Sequence, residues 1–378
     1  MGRGNRFSAD FGHGVQWAFM AHDAMRRRVA AVATSAGTKA SQGVRGRAPT
    51  LADVARLAGV SVATASKALN GRDHVRAETR SRVHEAAEQL SFIPNSLARS
   101  LLAGRTGTVG LLTSDLEGRF SIPILMGAED AFGAGRVSVF LCDARGDAIR
   151  EQHHVQALLN RRVDGLIVVG SRTDPRPSLG RKLPVPVVYT YAPSEDPEDL
   201  SIVCDNVAAG RLAIEHLIAC GRTRIAHISG DPDYGAARER AQGARAALQD
   251  AGLSLIGDVR YGAWSEGWGR AATAMLLSQE PHVDAIFCGS DLVARGVLDA
   301  VRERGRGVPD DVAVMGFDNW EVLTTDARPP LTSVDMNLEE MGRAAARALF
   351  AALGGAPRSG LESLPCRIVI RGSTAPLG

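Results

Sequence analysis

The sequence predicts an α/β protein in two parts: a small all-α helix-turn-helix domain near the N-terminus and a larger body of doubly wound parallel sheets. Three observations predict it. The 378-residue length exceeds one ordinary core. Three short helical patterns follow one another over residues 48–104. From Thr106 onward short apolar runs alternate with helical stretches.

Composition agrees with a folded, water-soluble class. Hydrophobic residues make up 45% and charged residues 23%. No run of 18 apolar residues occurs, so no membrane span is expected. The net charge of +2 hides an asymmetry. Residues 1–105 hold 16 Lys and Arg against 7 Asp and Glu, and the remainder holds 28 against 35. A basic front on an acidic body suggests a polyanion partner for the front; an ordinary solvated basic segment reads the same way. The five cysteines, Cys142, Cys204, Cys220, Cys288 and Cys366, show no CxxC spacing and lie mostly in apolar strings. Reduced thiols in a cytoplasmic protein are expected. His153-His154 lacks a companion at metal spacing, so no metal site and no cofactor are expected.

Residues 1–47 are rich in Gly, Ala, Ser and Arg without sustained periodicity, and are expected to be a disordered extension. Arg26-Arg27-Arg28 precedes an apolar run of about five residues, short of a signal core. A start at Met25 is the alternative.

The first helix opens at Thr50, with Asp53 three residues on as an acidic capping partner. Leu51, Val54, Ala55 and Ala58 form its apolar face, and Gly59 ends it. Ser61 caps the second helix. Its Ala65, Ala68 and Leu69 point inward, while Val62, Ala63, Ser66 and Lys67 share the opposite face. Small groups with one cation suit a major-groove reader. A third helix is expected from about Ala77 to Leu90, with Val83, Ala86, Ala87 and Leu90 inward.

At these residues the chain resembles the LacI/GalR family of transcription regulators. The resemblance rests on Thr50-Leu51-Ala52-Asp53-Val54-Ala55, Ala58-Gly59-Val60-Ser61, Thr64, Ser66, Asn70, Phe92-Ile93-Pro94-Asn95 and Ala98-Arg99-Ser100-Leu101. It implies that Val62, Ala63 and Lys67 read bases. It also implies that Thr50, Ser61, Thr64, Ser66, Asn70 and Thr79 meet phosphates. Service of Ser61, Thr64 and Asn70 only as caps or turn residues is the alternative. Residues 95–103, with Asn95, match a hinge helix whose Leu101 wedges into the minor groove; Leu97 and Leu101 packing across a dimer is the alternative. Two departures stand out. Arg76 replaces a small cap before the third helix, and Leu102 replaces a basic residue.

In the body, apolar runs at Val109–Leu112, Val137–Cys142, Leu166–Val169, Val185–Tyr189, Ile225–Ile228, Ala285–Cys288 and Val312–Phe317 read as strands. Helices are expected at 146–160, 207–220, 236–251, 267–278 and 292–304. Ligands of such sheets sit at the strands' carboxyl ends. No GxGxxG follows a strand, and neither GxxxxGK[ST] nor GxSxG occurs, so nucleotide-binding and hydrolase sites are unsupported.

The resemblance continues through Val109-Gly110-Leu111, Asp205-Asn206, His216-Leu217-Ile218, Arg238-Glu239-Arg240, Gly289-Ser290-Asp291, Val314-Met315-Gly316-Phe317-Asp318 and Pro330-Leu331-Thr332-Ser333-Val334. It implies a two-lobed body like a periplasmic sugar-binding protein, with three crossings between lobes. It points to Arg238 as the effector-gripping arginine, a surface ion pair being the alternative. Trp264 would stack on a sugar ring or serve the core, and Asp318 would accept from hydroxyls or cap a loop. Ser290 faces the ligand and Asp291 caps the following helix. Phe120 and Tyr189 are wall candidates, and Asp205 is a ligand acceptor or a cap. The loop Gly118-Arg119-Phe120-Ser121 departs from the family, and Arg119 is expected to favour an acidic or phosphorylated effector.

The expected domains are 1–47 as extension, 48–94 as DNA-binding domain, 95–104 as hinge and 105–378 as effector-binding and dimerisation body. No leucine heptads follow Arg371-Gly372-Ser373-Thr374, so a homodimer on palindromic double-stranded DNA is expected. The expected function is a repressor controlled by a small effector, a sugar. A sugar-binding transport component and a cytosolic sugar-processing enzyme are the competing readings.

Overall fold

The computed structural model describes residues 50–69, 75–90, 105–114, 116, 119–133 and 137–374. The expected extension at 1–47, the hinge segment at 95–104, Asn70, Asn95, Leu97 and Leu101 lie outside them. The chain divides into two units, Met1–Asn95 and Ser96–Gly378.

The first unit holds α1 (Leu51–Leu57), α2 (Val62–Leu69) and α3 (Ala77–Gln89). Its core is Val54, Ala55, Ala58, Ala65, Ala68, Val83, Ala86 and Ala87. These are mostly alanines, so the helices approach closely. Asp53 accepts from the Thr50 N–H at 2.9 Å and from its hydroxyl at 2.6 Å. Gly59 turns the chain at φ +65°, a conformation a β-carbon disfavours. Arg76 precedes α3 without a side-chain cap, as its lack of a short acceptor dictates.

The second unit contains two sheets. The first runs β1 (Thr108–Thr113), β2 (Ser138–Asp143), β3 (Gly165–Val169), β4 (Val187–Thr190) and β5 (Leu200–Cys204), joined late by β10 (Gly360–Leu364). Its spatial order is β10-β5-β4-β3-β1-β2, all parallel. The second runs β6 (Ile225–Ile228), β7 (Ala285–Cys288), β8 (Ala313–Phe317) and β9 (Thr332–Asp335), closed by antiparallel β11 (Arg367–Val369), in the order β11-β9-β8-β7-β6. The chain therefore crosses between lobes after β5, after β9 and after β10. β3, β6, β7 and β8 are buried along their whole length, which explains their unbroken apolar sequences.

Helices cover both faces. They are α4 (Ser121–Phe132), α5 (Ala148–Asn160), α6 (Asn206–Ala219), α7 (Gly235–Asp250), α8 (Glu266–Gln279), α9 (Asp291–Glu303), the short α10 (Glu321–Thr324) and α11 (Leu338–Leu353). α4 packs on α11 so closely that a β-carbon on Gly342 would strike the Ile124 carbonyl. Among the described residues no helix is long and apolar enough to cross a membrane.

Candidate functional site

Two surfaces carry chemistry. On the first unit, packing Ala65 and Ala68 inward leaves Ser61, Val62, Ala63 and Lys67 exposed on the other side of α2, with Val62 49% exposed. Thr64 and Ser66 are half-buried beside them, and Thr79 is half-buried in the first turn of α3. Ser61 accepts from the Thr64 N–H at 3.1 Å, and the two hydroxyls lie 2.8 Å apart. The cap expected of Ser61 is thus present, and it fixes both hydroxyls at the start of the helix. The exposed face offers methyl groups and one ammonium, a set that can meet thymine methyls and guanine acceptors.

On the second unit a cavity of about 190 Å³ opens between the lobes. All but one of its residues follow the carboxyl ends of parallel strands. Arg119 and Phe120 come after β1, Ser171 and Thr173 after β3, Tyr191 after β4, Tyr234, Ala236 and Arg240 after β6, Ser290 after β7 and Asp318 after β8. Trp264 precedes α8. Phe120 and Tyr191 stack at 4.6 Å on one wall, while Tyr234 and Trp264 meet edge to face at 5.7 Å on the other. The indole lies where a β-carbon on Gly230 would enter its ring, so only glycine admits it there. Its Nε1 is buried without an acceptor, and the Thr173 hydroxyl is likewise unpaired.

The cavity's charge centres on Asp318, held at φ +105° just past β8. It pairs with Arg119 from the first lobe and stands 3.9 Å from Arg240 of its own lobe. Arg240 also donates to Asn206 Oδ1 at 3.0 Å and to the Gly289 carbonyl at 2.6 Å, and lies 3.5 Å over the Phe317 ring. Behind them Asp291 accepts from the Trp320 N–H at 2.7 Å and the Ser333 hydroxyl at 2.6 Å. Burial, and then the Asp318 charge, push its carboxyl up to about 8. At the cleft mouth Asp174 of the first lobe accepts from the Gly235 N–H at 2.9 Å, at the start of α7 in the second.

Of the residues expected from sequence, Arg119, Phe120, Trp264, Ser290 and Asp318 meet in this cavity. Arg238 does not. It is 55% exposed, bonded to the Pro232 carbonyl at 2.5 Å and to Asp174 at 3.3 Å. Residues two apart on a helix point in nearly opposite directions, so Arg240 enters the cavity instead. Tyr189 is buried away from it, its hydroxyl accepting from the Leu179 N–H at 2.7 Å; Tyr191 supplies the wall. Asp205 proves a cap, accepting from the Ala208 N–H at 2.8 Å. The cap of α9 is Ser290, at 3.3 Å from the Val293 N–H, while Asp291 turns inward. The missed residues are Tyr191, Tyr234, Ser171, Thr173 and Arg240. Arg240 alone left a readable signal: it shares the 3.6-residue stripe of Ala236, Ala244 and Leu248, all buried. Among the described residues no group of three or more His, Cys, Asp or Glu could hold a metal.

Comparison with known proteins bears on both surfaces. Residues 50–95 match the family model for bacterial regulatory proteins of the lacI family, and residues 214–374 match that for a periplasmic binding protein-like domain. The chain is 38% identical to the HTH-type transcriptional regulator CelR of Thermobifida fusca, over 82% of this chain and 94% of that protein. It is 35% identical to the ribose operon repressor of Escherichia coli K12, over 78% and 90% respectively. Among solved structures, the lac repressor dimer bound to operator and the anti-inducer ONPF superposes with a TM-score of 0.68 at 28% identity, covering 87% of this chain and 99% of that one. A complex of the regulator CelR with cellobiose gives 0.57 at 34% identity, covering 86% and 99%.

Proposed function

The chain belongs to the LacI family of bacterial transcription regulators, and from that premise we propose that it is a cytoplasmic homodimeric repressor whose grip on a palindromic operator is set by a sugar in the interlobe cavity. As a member of that family it is a sequence-specific DNA-binding protein, not an enzyme. In this reading 48–94 is the DNA-binding domain, 95–104 the hinge and 105–378 the effector-binding and dimerisation body. Val62, Ala63 and Lys67 read bases. Thr50, Ser61, Thr64, Ser66, Asn70, Thr79 and Asn95 hold the backbone, and Leu101 enters the minor groove.

The observation that carries the effector reading is the pair of aromatic walls, Phe120 with Tyr191 and Tyr234 with Trp264, closed around buried donors at the strands' carboxyl ends. Flat apolar walls suit the faces of a sugar ring, and the rim of polar groups suits its edge. Relatives point the same way: one is the ribose operon repressor and another is a structure with cellobiose. Coupling follows from geometry. Arg119 and Asp174 belong to one lobe, and Asp318 and Gly235 to the other, so an occupant that changes these contacts changes the angle between lobes. Operator affinity and effector affinity then shift by the same factor. A transport component would leave the exposed α2 face unexplained.

The test is a gel-shift of the full chain on pooled palindromes, with and without a sugar panel. Enrichment of one palindrome that a single sugar releases supports the reading. Tightening by that sugar makes it a corepressor. Binding without sequence preference overturns the assigned base-reading roles.

A further inference from the structure

The charged side chains lining the cavity are two guanidiniums and one carboxylate: Arg119, Arg240 and Asp318. The other acids nearby do not restore the balance. Asp291 is fully buried behind the wall and spends its oxygens on Trp320 and Ser333. Glu239 reaches Arg240 only through the Asn206 amide, which it accepts at 3.0 Å. Asp174 at the rim already faces the Arg238 cation. A buried cation without its counter-charge is costly, so the site is built for a further negative group.

The unpaired donors of the cavity call for the same kind of group. Arg119 Nε and Trp264 Nε1 can only donate, and both are buried without an acceptor. Arg119 spends one terminal nitrogen on Asp318 and keeps the other side of its fork, flanked by the Phe120 ring at 4.9 Å and the Trp320 ring at 5.1 Å. A carboxylate or phosphate carries acceptors and no donors, and fits a planar fork. The volume, about 190 Å³, falls below the roughly 300 Å³ at which drug-sized pockets begin. It admits one sugar ring with one small acid group.

Resting on the sugar reading of this cavity, we propose that the effector is a monosaccharide-sized anion, a sugar acid or a sugar phosphate, whose acid group sits on Arg119 while its hydroxyls meet Asp318 and its ring lies between the aromatic walls. Arg119 is then the residue that sets specificity for charge.

The experiment is calorimetric titration of the full chain with matched sets of hexose, uronic acid, aldonic acid and 6-phosphate, on the wild type, Arg119→Gln, Arg119→Lys and Trp264→Ala. One acid or phosphate should bind about 100-fold tighter than its neutral parent; which arm responds tells carboxylate from phosphate. Arg119→Gln should erase that ratio. Arg119→Lys should keep part of it. A neutral parent that binds as tightly as its acid, in a manner lost in Trp264→Ala, overturns the charge assignment and leaves the sugar reading standing. Absence of binding by every member overturns both. The wild-type ratio decides the matter even if a variant fails to fold.

Discussion

Replacing Asp318 by asparagine should destabilise the second unit more than any other single-atom change in the cavity. Asparagine tolerates the positive φ at this position, so the backbone contributes little to the effect. The side chain of Asp318 is 3% exposed, that of Arg240 is 3% and that of Arg119 is 18%. Removing the charge leaves two guanidiniums facing each other without an anion. Breaking a buried pair in this way costs about 3–5 kcal/mol, which for a unit of this size lowers the melting midpoint by roughly 10 °C. Asp291 adds a pH signature. At pH 6 its carboxyl, raised to about 8, still holds its proton and offers no substitute charge. The loss of Asp318 removes one of the influences that raise it, so Asp291 ionises at lower pH and the deficit narrows above neutrality. Thermal and urea melts of the full chain at pH 6 and pH 8, followed by tryptophan fluorescence, read this directly. The Arg119→Gln/Asp318→Asn double variant should be more stable than the sum of the singles implies, by about 2 kcal/mol or more. A loss below about 1 kcal/mol at pH 6, or strict additivity, would refute the account of the cavity as one coupled charge cluster.

Three further outcomes are expected. His227, fully buried with Nδ1 2.9 Å from the Phe287 carbonyl, is pushed down to about 4 by burial. Its unfolded value is about 6.5, so the fold has the full benefit above that pH and loses about 3 kcal/mol as pH falls to 4; His227→Gln should flatten that slope in urea midpoints taken between pH 7 and pH 4.5. Gly342→Ala should force α4 and α11 apart at the Ile124 carbonyl and cost about 1–3 kcal/mol, visible as a lower melting midpoint; an unchanged midpoint would mean that the contact gives way freely. Lys67→Ala should weaken operator binding by about 10- to 100-fold in gel-shifts without altering the melt, and equal affinity would remove Lys67 from the reading face.

The fold was legible because its signals are local. Buried parallel strands such as Leu166–Val169 announce themselves as apolar runs, and the capping pair Thr50 and Asp53 marks a helix start within four residues. The late elements were harder. β9, β10 and β11 are short and cross between lobes, so their pairing depends on segments far away in sequence. The cavity was half legible for a similar reason. Phe120, Ser290 and Asp318 sit beside recognisable strand ends, and Trp264 just before a recognisable helix. Arg238 and Arg240 differ by two residues, and motif matching cannot tell them apart. The helix period can: Arg240 lies on the buried stripe with Ala236, Ala244 and Leu248. Tyr191 and Tyr189 pose the same problem on a strand end, where the partner of Tyr189 is the Leu179 amide, ten residues back. Thr173 and Tyr234 come together only across the cleft, a relation no local pattern contains.

The lobes are tied across the cleft by the protein's own groups, Arg119 to Asp318 and Asp174 to the Gly235 amide. For an effector that enters only when those ties open, the open fraction governs binding. Its apparent association rate is the intrinsic rate scaled by the open fraction, and it levels off at the opening rate when effector is abundant. Beyond that concentration a larger dose does not hasten the response. A switch of that kind has a built-in delay set by the strength of the contacts between the lobes, and the same contacts lengthen the dwell of whatever has been enclosed.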